Sequence, residues 1–143
     1  MTPETLTTGT GPSFDLSEDQ QAVRAMVRDF AESEIRPIAA QIDETHEFPA
    51  ENVKKMAALG LLGMFVPEQY GGMGADFLSE AIIFEEGGRA DSSVRGFLAV
   101  HGSLVSLCLR DWGTEAQKRA YLPKLAAGEW IGCYCLTEPE AGS

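Results

Sequence analysis

The stretch SSVRGFLAVHGSLVSLCLRDWG, residues 92–113, decides the fold. Its apolar side chains cover most of the circumference of a helix: Phe97, Leu98, Val100, Leu104, Val105, Leu107, Cys108, Leu109 and Trp112. A helix that is apolar nearly all round is buried on several sides. Asp91, Ser92 and Ser93 are candidate N-caps. His101 lies inside this helix, where a core or interface histidine is a better interpretation than a catalytic one.

Helix signals also precede this stretch. Ser17 and Gln20 have the spacing of a capping box, and the apolar residues that follow recur at intervals of three and four. Pro37 is expected to break or kink that first helix. Pro49 is expected to open a second helix, which Gly60 would end.

The remaining helices have comparable signals. Asp76 is a candidate cap for a third helix, which is expected to end near Gly87 and Gly88. Thr114 and Gln117 form a second capping box, which begins another helix. Pro123 is expected to interrupt this helix. The glycine loop EQYGGMGAD, residues 68–76, lacks the Lys-Ser/Thr ending of a phosphate-binding loop, so we expect a tight turn there.

One strand is predicted, at residues 129–137, and it comes last. The sequence therefore predicts an all-α fold of about five or six helices, with one exit strand at the C-terminal end. Residues 1–15, rich in Thr, Gly and Pro, are expected to be a flexible leader. Residues 16–128 form the predicted helical domain.

Composition narrows the classes of function. The 143 residues suit one domain, and a net charge of −11 argues against binding of nucleic acid, which requires a basic patch. No secretory signal and no apolar run of about 20 residues is recognised, so we expect a cytoplasmic protein with no membrane span. Cys108, Cys133 and Cys135 form no disulfide framework, and structural thiols are a better interpretation than a metal site.

The segment YCLTEPEAGS, residues 134–143, ends the predicted strand in hydroxyls and a glycine. Backbone N–H groups and side-chain hydroxyls at a strand end can hold an anion or the polar edge of a cofactor. An ordinary turn has the same composition, so both interpretations stand. Two carboxylate pairs, Glu85 with Glu86 and Glu138 with Glu140, are not assigned as general bases, because the first fits a solvated helix face and the second a turn.

Three blocks of sequence together resemble the N-terminal helical domain of the acyl-CoA dehydrogenases. They are ALGLLGMFVPEQYGGMGAD (residues 58–76), WGTEAQKRAYLPKLAAGE (residues 112–129) and YCLTEPEAGS (residues 134–143). The resemblance implies a subunit with a helical N-terminal domain, a middle β-domain that residues 129–143 would begin, and a C-terminal four-helix domain, assembled as a homotetramer. It implies an FAD-dependent oxidoreductase of fatty acid metabolism that dehydrogenates the α,β bond of an acyl-CoA thioester and passes electrons to an electron-transferring flavoprotein.

The resemblance also assigns site residues. Tyr134, Cys135 and Leu136 belong to the first FAD-contacting segment, with Leu136 packed by the isoalloxazine ring. The hydroxyl of Thr137 is at the position that hydrogen-bonds the flavin. Gly142 would let the backbone approach the FAD phosphates, and Ser143 would lie near the pyrophosphate and contact the acyl-CoA.

The family pattern continues past Ser143 with an aspartate. The catalytic glutamate and the remaining flavin contacts are therefore expected beyond this chain, and residues 1–143 alone are expected to be inactive. The segment SSVR, residues 92–95, resembles the stretch in glutaryl-CoA dehydrogenases where an arginine meets a distal carboxylate. Gly96 replaces a serine of that subfamily, so a structural role for Arg95 at the helix start is the favoured interpretation, and contact with a carboxylate is the alternative.

Two other functions remain open. An acyl-CoA oxidase or a flavin monooxygenase of the same superfamily would let reduced flavin react with oxygen, and a peroxide assay separates it from a dehydrogenase. A helical interaction domain that has lost its flavin would be folded and colourless.

Overall fold

The computed structural model describes residues 15–141. Within them the chain forms five helices. Helix α1 runs through Glu18–Phe30, a π-helical turn Ala31–Ile35, and Arg36–Thr45; α2 is Ala50–Ala58, α3 is Phe77–Ala90, α4 is Ser92–Trp112 and α5 is Glu115–Ala126. Two 3₁₀ turns, Leu61–Gly63 and Glu68–Tyr70, connect α2 to α3. No strand forms in this described part, and the predicted all-α class is confirmed.

Both predicted capping boxes are present. The backbone N–H of Gln20 donates to Ser17 Oγ at 3.2 Å, and the N–H of Ser17 donates to Gln20 Oε1 at 3.0 Å. Thr114 and Gln117 make the same reciprocal pair at 3.3 and 2.8 Å. These bonds satisfy N–H groups that have no partner inside the helix, so they fix where α1 and α5 begin.

Aspartates begin the two central helices, as their spacing predicts. Asp76 Oδ1 accepts the N–H of Ser79 at 2.6 Å, and hydrogen bonds from Ser79 and Gln20 hold the pKa of Asp76 below its usual value. Asp91 is the single residue between α3 and α4, and its Oδ1 accepts the N–H of Ser93 at 2.7 Å. This one residue of linker has an extended backbone, with φ −156° and ψ 120°, and separates the two helices.

Of the break or kink expected at Pro37, the break is wrong, because α1 continues to Thr45. The five residues Ala31–Ile35 adopt a π-helical turn just before the proline, and the N–H of Arg36 donates to Ala31 O, five residues back. Proline cannot donate to the preceding turn, and its ring crowds the carbonyl four residues back. The wider turn absorbs that defect without ending the helix.

Helix α3 ends at Ala90, near the expected Gly87 and Gly88. The expected interruption at Pro123 is wrong, because α5 passes Pro123 and ends at Ala126. In α5 the side chains beside the proline, Leu122 and Leu125, are buried. Burial of apolar area in the folded domain offsets the local cost of the proline.

The main core is shared by α1 to α4 and the connection between α2 and α3. Helix α1 packs along α3, and α4 follows α3. Thirteen buried apolar residues form this core: Val27, Phe30, Ala31, Ile35, Val53, Met56, Leu61, Leu62, Met64, Phe65, Ile83, Val94 and Leu98. A second cluster joins Val66 and Tyr70 to Leu122 and Ala126 of α5.

Helix α4 is less enclosed than its sequence predicts. It is the one described helix that is long and apolar enough to cross a bilayer by length and composition, a test that core helices also pass. Only 28% of this apolar stretch is buried. Val94, Leu98 and His101 face the core, whereas Trp112 is 87% exposed.

The predicted strand at residues 129–137 does not form. Residues 131–137 have no regular secondary structure, and a single antiparallel bridge joins Glu138 to Ala141 in the turn that follows. A strand is stable only when its backbone pairs with a neighbouring strand. The described residues supply no such neighbour.

Candidate functional site

The segment after α5 is attached to α4 at one glycine. The N–H of Gly132 donates to Nδ1 of His101 at 3.1 Å. A Cβ atom placed on Gly132 would lie 2.7 Å from Cγ1 of Val105, so no larger residue fits without displacement. The residues that lead into YCLTEPEAGS therefore lie directly against the middle of α4.

Beyond this glycine the segment faces solvent. Tyr134 is 51% exposed and Leu136 is 57% exposed, and both Cys135 and Thr137 are exposed as well. In the described part of the chain, the Thr137 hydroxyl has no hydrogen-bond partner. Apolar side chains beside a free hydroxyl suit a flat aromatic group with a polar edge. The residues predicted to hold a flavin therefore fit one.

A shallow groove runs beside Tyr134 along the second half of α4. Its volume is about 260 Å³. It is lined by Ser103, Leu104, Leu107, Cys108, Asp111, Trp112 and Tyr134. Trp112 and Tyr134 leave much of their aromatic area open, which makes this face of α4 an apolar surface next to the segment.

His101 is fully buried under the segment. Its Nε2 lies 3.1 Å from the carbonyl oxygen of Leu125 in α5, and its ring stacks on Phe97 with centroids 6.0 Å apart. Burial lowers the pKa of the imidazole below its usual value, so the ring is neutral at pH 7. Because Nε2 faces a carbonyl and Nδ1 faces an N–H, the proton lies on Nε2.

Arg95 lies away from these residues. It is exposed on the first turns of α4, six residues before His101, which is roughly 9 Å along the helix axis. Among the described residues, no carboxylate pairs with its guanidinium. A larger pocket of about 560 Å³ opens at the same end of α4, between Phe48, Val53 and Phe97, but Arg95 does not line it.

The role of Glu86 is not apparent from the local sequence pattern. Its side chain is 1% exposed and accepts hydrogen bonds from Arg28 and Arg89, whereas Glu85 is 62% exposed, as a solvated face predicts. Arg24 and Arg28, one helical turn apart on α1, were the available signal. Gly142 and Ser143, together with residues 1–14 of the expected leader, lie outside the described residues.

Residues 17–129 match the family described as acyl-CoA dehydrogenase, N-terminal domain. Over 130 residues the chain is 49% identical to the short-chain specific acyl-CoA dehydrogenase of Clostridium acetobutylicum, a match that covers 91% of this chain and 34% of that relative. The chain belongs to the acyl-CoA dehydrogenase family. It spans about a third of the length of the family members it matches.

Solved structures share the fold of this acyl-CoA dehydrogenase domain. The glutaryl-CoA dehydrogenase of Mycobacterium smegmatis in complex with FADH2 has a TM-score of 0.82 at 38% identity, covering 90% of this chain and 33% of that one. A chain from the structure of the electron transferring flavoprotein of Acidaminococcus fermentans has a TM-score of 0.86 at 37% identity, covering 92% and 34%.

The three blocks that resemble acyl-CoA dehydrogenases are consecutive in space. Val66 and Tyr70 of the first block pack on Leu122 and Ala126 of the second. His101 then joins the second block to the segment that leads into the third, because its ring contacts both Leu125 and Gly132. The three blocks therefore follow one another in the fold in the same order as in the sequence.

Proposed function

We propose that this chain supplies the N-terminal domain and the first flavin-binding segment of an FAD-dependent enzyme. That enzyme catalyses α,β-dehydrogenation of an acyl-CoA thioester. One observation carries the proposal. The segment from Tyr134 to Thr137, which matches the acyl-CoA dehydrogenase motif, is exposed beside α4, and the Thr137 hydroxyl has no hydrogen-bond partner in the described part of the chain. In this division, residues 16–128 form the helical domain, and residues 129–143 begin the middle β-domain.

Each residue of the segment has a role set by its chemistry. The Thr137 hydroxyl donates a hydrogen bond to the flavin ring, where negative charge collects on reduction. Leu136 packs by the isoalloxazine, with Tyr134 and Cys135 completing the contact. FAD, when bound, supplies the hydride acceptor. Gly142 and Ser143 are expected to approach its phosphates, and Ser143 also the acyl-CoA.

Thr137→Ala tests this function in the full-length enzyme. Loss of one hydrogen bond to the reduced flavin is expected to lower its midpoint potential by about 20–30 mV, because about 30 mV equals about 1.4 kcal/mol for two electrons. Thr137→Ser keeps a hydroxyl and should retain the wild-type potential. The measurement is a spectroelectrochemical titration. An unchanged potential in Thr137→Ala would contradict the role of this hydroxyl, and a colourless wild-type enzyme would contradict the function.

The assay of turnover also separates the related chemistries. Reduction of an electron-transferring flavoprotein or of a dye by acyl-CoA is the expected result. Peroxide formed in place of the reduced acceptor would instead assign acyl-CoA oxidase or flavin monooxygenase chemistry. A folded protein that binds no flavin would be a helical interaction domain.

A dicarboxylyl-CoA is the second candidate substrate, and Arg95 favours it. The side chain is exposed at the start of α4 with no ion pair to any described residue. Arg95→Ala is expected to reduce kcat/KM for a dicarboxylyl-CoA by about ten- to a hundredfold more than for a simple acyl-CoA, because a charge-assisted hydrogen bond is lost. Arg119→Ala, at an exposed arginine of α5, is the control. Equal losses on both substrates would leave Arg95 without a role in substrate choice.

We expect the full-length enzyme to be a homotetramer, which sedimentation would test. The exposed apolar face of α4 around Trp112 supports further contacts in a larger protein. A cytoplasmic location is supported by the three described cysteines, which are all free and exposed, a state that a reducing compartment maintains.

A further inference from the structure

We propose that His101 is the positioning residue that fixes where the flavin-binding segment leaves the helical domain. The inference rests on the proposed function, since it concerns the placement of Thr137. His101 contacts no group that reacts. It acts through Gly132, the residue from which the segment extends toward Thr137.

The bond between Gly132 and His101 is the last one that ties the segment to the helices. Upstream, the N–H of Trp130 donates to Lys124 O at 3.2 Å. Beyond Gly132, the only hydrogen bonds of the described segment are those that join Glu138 and Ala141 to each other. The direction of residues 133–137 is therefore set at Gly132.

The ring holds its place because both nitrogens are used. Nε2 donates to Leu125 O at 3.1 Å, and Nδ1 accepts from Gly132 at 3.1 Å. The side chain of His101 thus bridges the end of α5 and the start of the segment, and its size sets the distance between them. The ring is fully buried and stacked on Phe97, so it has little freedom to follow a moving segment.

The backbone of α4 is shaped around this residue. His101 lies in the π-helical segment Ala99–Ser106, and Ser106 Oγ donates to the carbonyl oxygen of His101 at 2.9 Å. Ser106 is itself fully buried. An inserted residue in a π-helical turn re-aims the side chains around it, and such turns are frequent at functional sites.

Gly132 is constrained from its other side as well. Its ideal Cβ position lies 2.7 Å from Cγ1 and 2.8 Å from Cβ of Val105. The glycine therefore sits against the α4 surface at a distance that only a residue without a side chain allows. Contact with Val105 and the hydrogen bond to His101 together leave one position for the start of the segment.

The test is made in the full-length, FAD-loaded enzyme. His101→Phe keeps an aromatic ring beside Phe97 but removes both hydrogen bonds. We expect FAD to bind about tenfold more weakly, the value of one buried hydrogen bond, and amide hydrogen exchange at residues 132–137 to become faster. His101→Gln supplies one donor and one acceptor at the side-chain end and should rescue both properties.

Two further variants keep the test decisive. Gly132→Ala moves the segment without altering the histidine and should weaken FAD binding to a similar extent. Val94→Ala, at a buried valine near the start of α4, should lower the melting temperature and leave FAD affinity unchanged. Wild-type FAD affinity in both His101→Phe and Gly132→Ala would overturn the proposal, and so would an equal loss in Val94→Ala.

Failure of the proposed function would look different. If the wild-type enzyme binds no flavin, the function is wrong, and hydrogen exchange at residues 132–137 alone decides the role of His101. Faster exchange in His101→Phe than in His101→Gln then supports the positioning role. Identical exchange in the two variants would overturn it.

Discussion

Glu86→Gln is expected to lower the free energy of unfolding by about 3 kcal/mol at pH 7. Removing one partner from a buried ion pair costs about 3–5 kcal/mol, because a charge remains without its counter-charge. The arginines around Glu86 are about half exposed and can regain water, so we expect the lower end of that range. Urea denaturation followed by circular dichroism measures the change.

The geometry around Glu86 explains the size of this effect. Arg28 of α1 donates to both carboxylate oxygens, from Nε at 2.9 Å and from Nη2 at 2.6 Å. Arg89, one turn along α3, donates from Nη1 at 2.7 Å, and Arg24 Nε lies 3.7 Å away. A single carboxylate therefore holds α1 to α3 along their main contact. Glutamine has one acceptor oxygen, and its NH₂ group would face a guanidinium.

Low pH should remove the stability that the Glu86 carboxylate contributes. The hydrogen bond from Arg28 lowers the pKa of Glu86 below the usual 4.5. A carboxyl whose pKa is lower in the folded state contributes stability that is complete above its unfolded pKa and is lost as the pH falls through its folded pKa. The difference between wild type and Glu86→Gln should therefore shrink as the pH drops below about 4.5.

Glu85→Gln is the matched control for this prediction. Glu85 is the neighbouring carboxylate, is largely exposed, and within residues 15–141 pairs only with Arg24 at 3.5 Å. An exposed ion pair contributes little, so the midpoint of unfolding should hardly move. A Glu86→Gln protein as stable as the Glu85→Gln protein would show that the ion pairs of Glu86 with Arg28 and Arg89 do not stabilise the fold.

Local signals explain which parts of this fold could be predicted. The caps at Ser17, Asp76 and Thr114 depend on residues three positions apart, and each formed as expected. The tight turn expected in the glycine loop is also confirmed, with Gly71 at φ 83° and Gly74 at φ 59°. Interactions of this kind are encoded within a few residues, so one sequence is sufficient to recognise them.

Contacts between distant residues explain the errors. Pro37 is expected to break or kink α1 and Pro123 to interrupt α5, but a π-helical turn and the burial of Leu122 keep both helices continuous. Glu86 forms ion pairs with arginines that lie as far away in the sequence as Arg24, 62 positions before it. The spacing of Arg24 and Arg28 places two cations on one face of α1, but local pattern does not say which face of α3 meets them, so the ion pairs of Glu86 became visible only in the fold.

The candidate site likewise has one feature that the sequence predicts and others that depend on contacts between distant residues. The motif containing Thr137 was recognised through its resemblance to a family, but its predicted strand is absent from the described fold. Strand propensity in residues 129–137 describes side chains that fit a sheet, and no other described strand completes one. The contact between His101 and Gly132 joins residues 31 positions apart and had no signal in the pattern.

Gly72→Ala is expected to destabilise the protein by about 3 kcal/mol or more. A Cβ atom on Gly72 would lie 2.0 Å from the carbonyl oxygen of Val66 and 2.4 Å from its Cβ. Overpacking costs about 1–3 kcal/mol where side chains can move aside. Here the obstacle is backbone of a fully buried residue, so the chain itself must shift.

That shift would break a turn held by backbone hydrogen bonds. The glycine loop returns across residues 63–66, where Met73 N–H donates to Gly63 O at 3.0 Å, Gly74 N–H to Val66 O at 2.9 Å and Ala75 N–H to Met64 O at 2.8 Å. The alanine methyl would meet the carbonyl that receives the second of these bonds. Val66 also packs on Leu122, so the strain should reach α5.

Gly87→Ala provides the opposite expectation in the same protein. Gly87 lies within α3, and a Cβ atom there would meet nothing within 4 Å. Alanine in a helix interior should therefore raise stability by about 0.5–1 kcal/mol. Urea denaturation of both variants compares a glycine required by close packing with one that is not. Equal stability of the two variants would show that the loop accommodates a methyl group and that the approach of Gly72 to Val66 does not constrain the fold.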